Sequence, residues 1–293
     1  MSKYMKTTAF ILLAILSFET FGYSQTSRKK TDIEEQELSG TVHKVRLTRK
    51  LIMSLDGEKE FGDGWIPGLV VFNRDGYQEL FEAYDDEGEF QYKVVSRFNS
   101  SGQKIEEVET KANGQRSRKR TFSYDKDGNQ IGSNGYYGEE DKYNGSYRWI
   151  YDDKGFVTSI IESDDKNKIV SSVYYSRNDE DKSESTASYD GNGKLYGKTL
   201  ESYGDKNRQD SETAFTDEIG NPTSRYTRKT DEKGNVTDTK YDAKGKVLEK
   251  EVYVYEYDSK GNWIKEEKSE WENKDGQLIL KKKKETNRMI TYF

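Results

Sequence analysis

His43, in the stretch GTVHKVRL, is the only histidine in 293 residues, and there is no cysteine. Nucleophilic catalysis needs a nucleophile, a base and a group that orients the base. No G-x-S-x-G, no H-E-x-x-H and no Cys–His pair accompanies His43, so it reads as a solvated strand residue among basic neighbours. Adjacent carboxylates, the raw material of glycoside hydrolysis, occur at Asp85–Asp86, Asp152–Asp153 and Asp164–Asp165. Among 54 acidic residues no such pair stands out. The stretches DKDGN (125–129), NKDG (273–276) and DEKGN (231–235) have the look of oxygen-ligand loops, yet none continues to the bidentate Glu of an EF-hand. An Asp capping its own turn accounts for them, with adventitious calcium as the only metal chemistry on offer. The expectation is a protein without catalytic centre or cofactor. What remains is the rings: 22 Tyr, 12 Phe and four Trp. Planar rings stack on sugar faces and anchor protein interfaces. Trp149, Trp263 and Trp271 are the candidate exposed anchors, and cross-strand packing is the alternative use for each.

The elements that must carry these rings are written as a repeated phrase. YDKDGN from Tyr124, YDDKG from Tyr151, YDGNG from Tyr189, YDAKG from Tyr241 and YDSKGN from Tyr257 share an aromatic residue four positions before a glycine. The full set of marks pairs Phe72 with Gly76, Tyr84 with Gly88, Phe98 with Gly102, Tyr124 with Gly128, Tyr151 with Gly155, Tyr189 with Gly193, Tyr241 with Gly245 and Tyr257 with Gly261. Asp after the aromatic can accept from backbone amides just ahead of it, and Gly tolerates positive φ, so each phrase is a hairpin turn. Between turns the residues alternate as in strands: VLEKEVYVYEY (247–257) puts Val252 and Val254 on one face and Tyr253, Tyr255 and Tyr257 on the other. Turns roughly every 14 residues predict a long antiparallel meander of roughly 14–18 strands. No stretch keeps a helical apolar period. The fold class is therefore all-β: one twisted, curled sheet with a thin aromatic core, partly closed like a barrel.

The ends of the chain differ from the repeats. Residues 1–24 combine Lys3 and Lys6, the apolar run AFILLAILSF and a small-residue exit, the pattern of a secretory signal peptide cleaved between Ser24 and Gln25. Residues 25–69 read as an opening strand and a Gly-rich loop (56–68), continuous with the hairpin repeats of 70–293. The formal net charge is −6, with both signs interspersed, which describes a solvated surface and no nucleic-acid footprint. The one like-charge run, Lys281–Lys284, reads as an exposed edge strand guarded by lysines. Most strands carry Lys, Glu or Asp on both faces, as in WIKEEKSEWE (263–272), so no lipid-facing apolar band and no membrane span is expected after signal removal.

The recurring YDxxGN and YDxxGK phrases resemble YD repeats, also called RHS repeats, over residues 70–277, and the opening ELSGTVHKVRLTRK and closing NRMITYF are similar to short exported YD-repeat proteins of Gram-negative bacteria. The resemblance implies a strip of β-hairpins and an association with binding, sometimes of carbohydrate. It does not imply the toxin-enclosing shell of the large members, for which this chain is too short. The functional expectation is a non-catalytic, exported binding module, periplasmic, outer-surface or extracellular, that recognises a cell-envelope glycan or protein. A structural or assembly role through open sheet edges, and an immunity or chaperone-like partnership with a secreted toxin, are the alternatives.

Overall fold

The computed structural model describes residues 31–54, 67–85, 87–178, 182–203, 210–217, 219 and 221–293. The expected signal peptide, its Ser24/Gln25 cleavage site and most of the Gly-rich loop 56–68 lie outside the described residues.

Among the described residues eighteen strands form a single sheet. They are β1 (Val42–Ser54), β2 (Gly68–Phe72), β3 (Gln78–Tyr84), β4 (Phe90–Phe98), β5 (Lys104–Lys111), β6 (Arg116–Tyr124), β7 (Gln130–Tyr137), β8 (Lys142–Tyr151) and β9 (Val157–Asp164). There follow β10 (Ile169–Asn178), β11 (Ser183–Asp190), β12 (Leu195–Tyr203), β13 (Ser211–Thr216), β14 (Pro222–Thr230), β15 (Val236–Asp242), β16 (Val247–Tyr257), β17 (Trp263–Lys274) and β18 (Gln277–Tyr292). Each strand pairs antiparallel with its neighbour in sequence, and β1 pairs with both β2 and β18, Val45 lying opposite Val70 and Ile290. The meander therefore closes into a barrel, and the first and last strands, which an open sheet would expose as edges, satisfy each other.

The turns show why this chain makes hairpins. At Asp125 the carboxylate Oδ1 accepts from the amides of Asp127 (2.9 Å) and Asn129 (2.8 Å), while Gly128 N donates to Asp125 O and Asp125 N to Asn129 O. The same pattern recurs at Asp152, Asp164, Asp190, Asp217, Asp231, Asp242 and Asp258, and Asn73 and Asn99 take the place of Asp at theirs. The eight marked glycines have φ between 75° and 86°, a region that costs a residue with a Cβ about 1–2 kcal/mol. Most of these hairpins shift register beside the turn, as between Ser123 and Tyr124, which adds a bulge and extra twist there, whereas β14 and β15 pair without a shift. The turn tyrosines do more than stack: Tyr124 OH donates to Lys104 O (2.7 Å) and Tyr151 OH to Gln130 O (2.8 Å), tying each turn to the backbone just after an earlier one.

One short helix, α1 (Asp32–Glu35), precedes β1. It starts with a capping box in which Thr31 and Glu34 satisfy each other's backbone amides. Ile33 N donates to Gly76 O (3.0 Å), and Asp32 Oδ2 accepts from Gln78 N (2.5 Å). Downstream, Asn262 accepts from Ser39 N (2.6 Å) and donates to Ser39 O (2.9 Å) and Tyr292 OH (2.7 Å). Ile33 and Leu38 pack with Val42, Val45, Val70 and Phe72, and Leu47, Phe81, Ile290 and Tyr292 pack around them. This is the apolar core, and it occupies one end of the barrel at the seam where β18, β1 and β2 meet.

The same face continues inward around the ring. Along β4, Tyr92, Val94, Ser96 and Phe98 are covered, whereas Gln91, Lys93, Val95 and Arg97 are exposed. Along β8, Tyr143, Tyr147, Trp149 and Tyr151 alternate with exposed Asn144, Arg148 and Ile150. A circular ring of 18 strands at ordinary spacing and a tilt of about 40° has a backbone diameter of about 36 Å, wide enough for an aqueous lumen. In keeping with this, most residues on the inner face of β5–β15 are only half-buried.

Lys281–Lys284 departs from the expectation for it. The run lies inside β18, paired on both sides, so it guards no exposed edge; Lys282 and Lys284 turn inward and are 4% and 2% exposed.

Candidate functional site

The inner wall is built from two kinds of charged patch. On β14–β18 the charges are matched. Arg228 donates to Asp238 through Nε (3.0 Å) and Nη2 (2.9 Å), a bidentate pair in which the Asp238 side chain is 1% exposed and that of Arg228 48%, so the guanidinium still meets water. Lys268 Nζ lies 3.0 Å from Glu251 and 3.2 Å from Glu270, and Lys284 Nζ 3.1 Å from the same Glu270 oxygen. Tyr253 OH donates to Glu251 (2.6 Å), with Lys268 Nζ 5.3 Å from the centre of its ring. Burial, then Glu251, push the Tyr253 hydroxyl strongly up; burial likewise raises Tyr226 and Tyr255. Burial opposes ionisation of Glu270, but Lys268 and Lys284 outweigh it and hold the carboxyl below its ordinary range. Glu266 goes the other way: burial raises it despite Arg49, Lys268 and Arg288.

On β5–β6 the charges are not matched. The register places Glu107 opposite Arg120 and Glu109 opposite Arg118 on the inner face. Glu107, however, pairs with Lys104 (3.0 Å), and Glu109 accepts from the Ser117 hydroxyl. Among the described residues neither Arg118 nor Arg120 has a carboxylate partner; Arg118 lies 5.9 Å from the centre of the Tyr137 ring. A cleft of about 80 Å³ opens between them, lined by Val94, Glu107, Glu109, Arg118 and Arg120. Tyr147 stands near Arg120; burial, then its hydrogen bond to Glu162 (2.7 Å), push its hydroxyl up to about 12.

The three tryptophans do not gather. Trp149 and Trp263 are half-buried on the inner face, on β8 and β17, nine strands apart and so on opposite sides of the ring. Trp149 packs with Tyr147 (6.1 Å between ring centres), and Trp263 with Tyr255 (5.9 Å) and under Arg288, whose Cζ is 3.5 Å from the ring centre. Trp271 shares the outer face with Lys250. The marked turn aromatics and glycines sit at the two rims. His43 lies 3.4 Å from Phe72 O, its ring 4.4 Å from that of Phe293. The Asp residues of the calcium-like turns Asp125 and Asp231 spend their oxygens on amides and on Asn129 and Asn235. Among the described residues no group of three or more acidic or histidine side chains could hold a metal.

Sequence reasoning passed over Arg118 and Arg120. Their signal was RSRKR (116–120) facing EEVET (106–110), charges at alternate positions on adjacent strands.

No protein-family model matches the chain, and no curated protein does. Among solved structures, a porin-like protein from Bacteroides uniformis ATCC 8492 is similar over 86% of this chain and 99% of its own, with 11% identity and a TM-score of 0.44. TcdB2-TccC3-TEV is similar over 80% of this chain and 17% of its own, with 10% identity and a TM-score of 0.22. A protein of unknown function from Bacteroides fragilis NCTC 9343 is similar over 58% of this chain and 92% of its own, with 12% identity and a TM-score of 0.19. Similarity at this level carries no argument about activity.

Proposed function

We propose that this chain is a non-catalytic, exported binding barrel of YD-repeat character, which holds a cell-envelope glycan or a segment of an envelope protein against its inner wall. The observation that carries the reading is the inner face itself: Tyr147, Trp149, Tyr253, Tyr255 and Trp263 present half-buried rings beside charged groups, on a concave surface that water reaches. Such rings supply stacking area, and the charges beside them supply orientation. The outer face supports placement in water. Lys93, Arg148 and Lys198 project outward near the middles of their strands, where a basic side chain facing lipid costs about 2–4 kcal/mol. Closure of β1 on β18 favours binding within the ring over assembly through free edges.

The test is a pull-down with purified full-length protein against envelope polysaccharide and, separately, envelope protein extract. Retention on polysaccharide, released by free sugar and reduced in Trp263→Ala, is the expected result. Retention of a single protein species would select the protein branch. Retention of neither material would overturn the proposal.

A further inference from the structure

We infer that Arg118 and Arg120 form a recognition site for the carboxylate of an acidic saccharide, a sugar chain bearing uronate groups. The inference rests on reading the inner wall as a binding surface, and it names the chemical class bound there.

The two charged patches of the inner wall differ in how their cations are met. On β14–β18 three inward cations meet carboxylates within 3.2 Å: Arg228 with Asp238, Lys268 with Glu251 and Glu270, Lys284 with Glu270. That wall answers its own charges. On β6 two half-buried guanidiniums stand two residues apart on the same face, with carboxylates directly across the ladder that are engaged elsewhere. A guanidinium offers five donors in a planar fork suited to a carboxylate, and here two forks stand side by side with a cleft between them. About 80 Å³ admits a carboxylate with a water or two, since liquid water takes roughly 30 Å³ per molecule. It does not admit a sugar ring. The ring would lie outside the cleft, over the inner wall, where Tyr92, Tyr137 and Tyr147 flank the arginines on β4, β7 and β8.

Glu107 and Glu109 decide the class of anion. Both line the cleft and both stay acceptor-rich, so a phosphate dianion would meet two negative neighbours at contact distance. A singly charged carboxylate on a polyhydroxylated ring meets less repulsion, and its hydroxyls can donate to the two glutamates while its carboxylate takes the arginines. Donors and acceptors then match on both sides.

Isothermal titration calorimetry on the purified full-length protein tests this, with trigalacturonate as the acidic probe, maltotriose as the neutral one, and inorganic phosphate and trialanine as competing chemistries. The expected result is binding of trigalacturonate about tenfold or more tighter than maltotriose, weakening as salt rises and falling to the maltotriose level in Arg118→Gln/Arg120→Gln. Because neither arginine holds an ion pair, the double variant should keep its melting temperature. Should it fail to fold, Arg118→Lys/Arg120→Lys keeps the charge while removing the fork, and should lose most of the preference. Equal affinity for the acidic and neutral sugars, or affinity indifferent to the arginines, would overturn the inference while leaving sugar binding by the barrel intact. Tighter binding of phosphate or trialanine would overturn the saccharide assignment. Absence of binding by every probe would overturn the inference, and the polysaccharide pull-down then decides the broader reading separately.

Discussion

The seam of the barrel and its far wall are made by different physics. At the seam, α1, β1, β2 and β18 bring together Ile33, Leu38, Val42, Val45, Val70 and Phe72, with Val42 and Phe72 fully buried. Around β5–β15, Ile160 is the one buried aliphatic or aromatic side chain among the described residues, and the other buried side chains there are polar: Ser133, Ser159, Ser172, Thr227 and Asp238. The far wall is held by its ladders, by Asp-capped turns and by tyrosine hydroxyls reaching earlier backbone. The seam is held by hydrophobic burial. A repeat can extend a wall indefinitely, since each hairpin asks only for its neighbour, but it supplies no reason to stop or close. Closure here belongs to the non-repetitive segment, which packs Ile33 and Leu38 against the seam and pairs the first strand with the last.

That contrast is broken most directly by Phe72→Ala. Removing a fully buried ring from the seam should cost about 3–5 kcal/mol, a large part of the stability of an ordinary domain. Leu200→Ala on the outer far wall, where Leu200 is 51% exposed, should stay within about 0.5 kcal/mol. Urea midpoints of the two variants check this; similar losses would mean that the seam is not where the barrel is closed. A middle-sized effect is expected at Arg228→Met, which leaves the 1%-exposed Asp238 carboxylate without its bidentate partner. The loss of a fully buried pair's partner would cost about 3–5 kcal/mol, and the half-exposed guanidinium brings this down to about 2 kcal/mol. Arg228→Met/Asp238→Leu should recover part of it. A double variant no more stable than Arg228→Met would show that the pair matters for reasons other than the stranded charge.

The wall was legible in the sequence and the seam was not, for a physical reason. A turn such as YDKDGN is specified within six residues, because Asp125 bonds amides two and four positions ahead and Gly128 takes the positive φ itself. Strand alternation is equally local, which is why Tyr253 and Tyr255 could be placed opposite Val254. Pairing of Val45 with Ile290 joins the two ends of the chain, and nothing near either residue announces it. Lys281–Lys284 was misread for the same reason: in an open sheet β18 is an edge, and only closure turns Lys282 and Lys284 inward. The capping box at Thr31 and Glu34 was visible, but four residues are too few to show a helical period. At the candidate site, the alternation in RSRKR was visible. That Glu107 turns to Lys104 rather than to Arg120 is a choice among side-chain geometries that no spacing encodes.

The smallest effect expected, and the one that sharpens the comparison between matched and unmatched charge, concerns Glu270. Its carboxyl ordinarily titrates near 4.5, and burial opposes its ionisation, but Lys268 and Lys284 together hold its folded value lower. A carboxyl depressed on folding contributes stability that is fully present above its unfolded value and is lost as pH falls through the folded one. Glu270→Gln should therefore be less stable than the parent at pH 7, by about 1 kcal/mol or less for a half-buried group. The gap should shrink as pH drops below 4.5, since Glu270 in the parent is then neutral as well. Other carboxyls held low, Glu267 and Glu285 among them, titrate in the same range in both proteins, so only the difference between the two curves isolates Glu270. Urea midpoints at pH 7, 5, 4 and 3 give that difference. A gap that stays constant across the series would mean that the substitution removes packing rather than charge, and the inner wall of β17 and β18 would then have to be read as a packed surface in the manner of the seam.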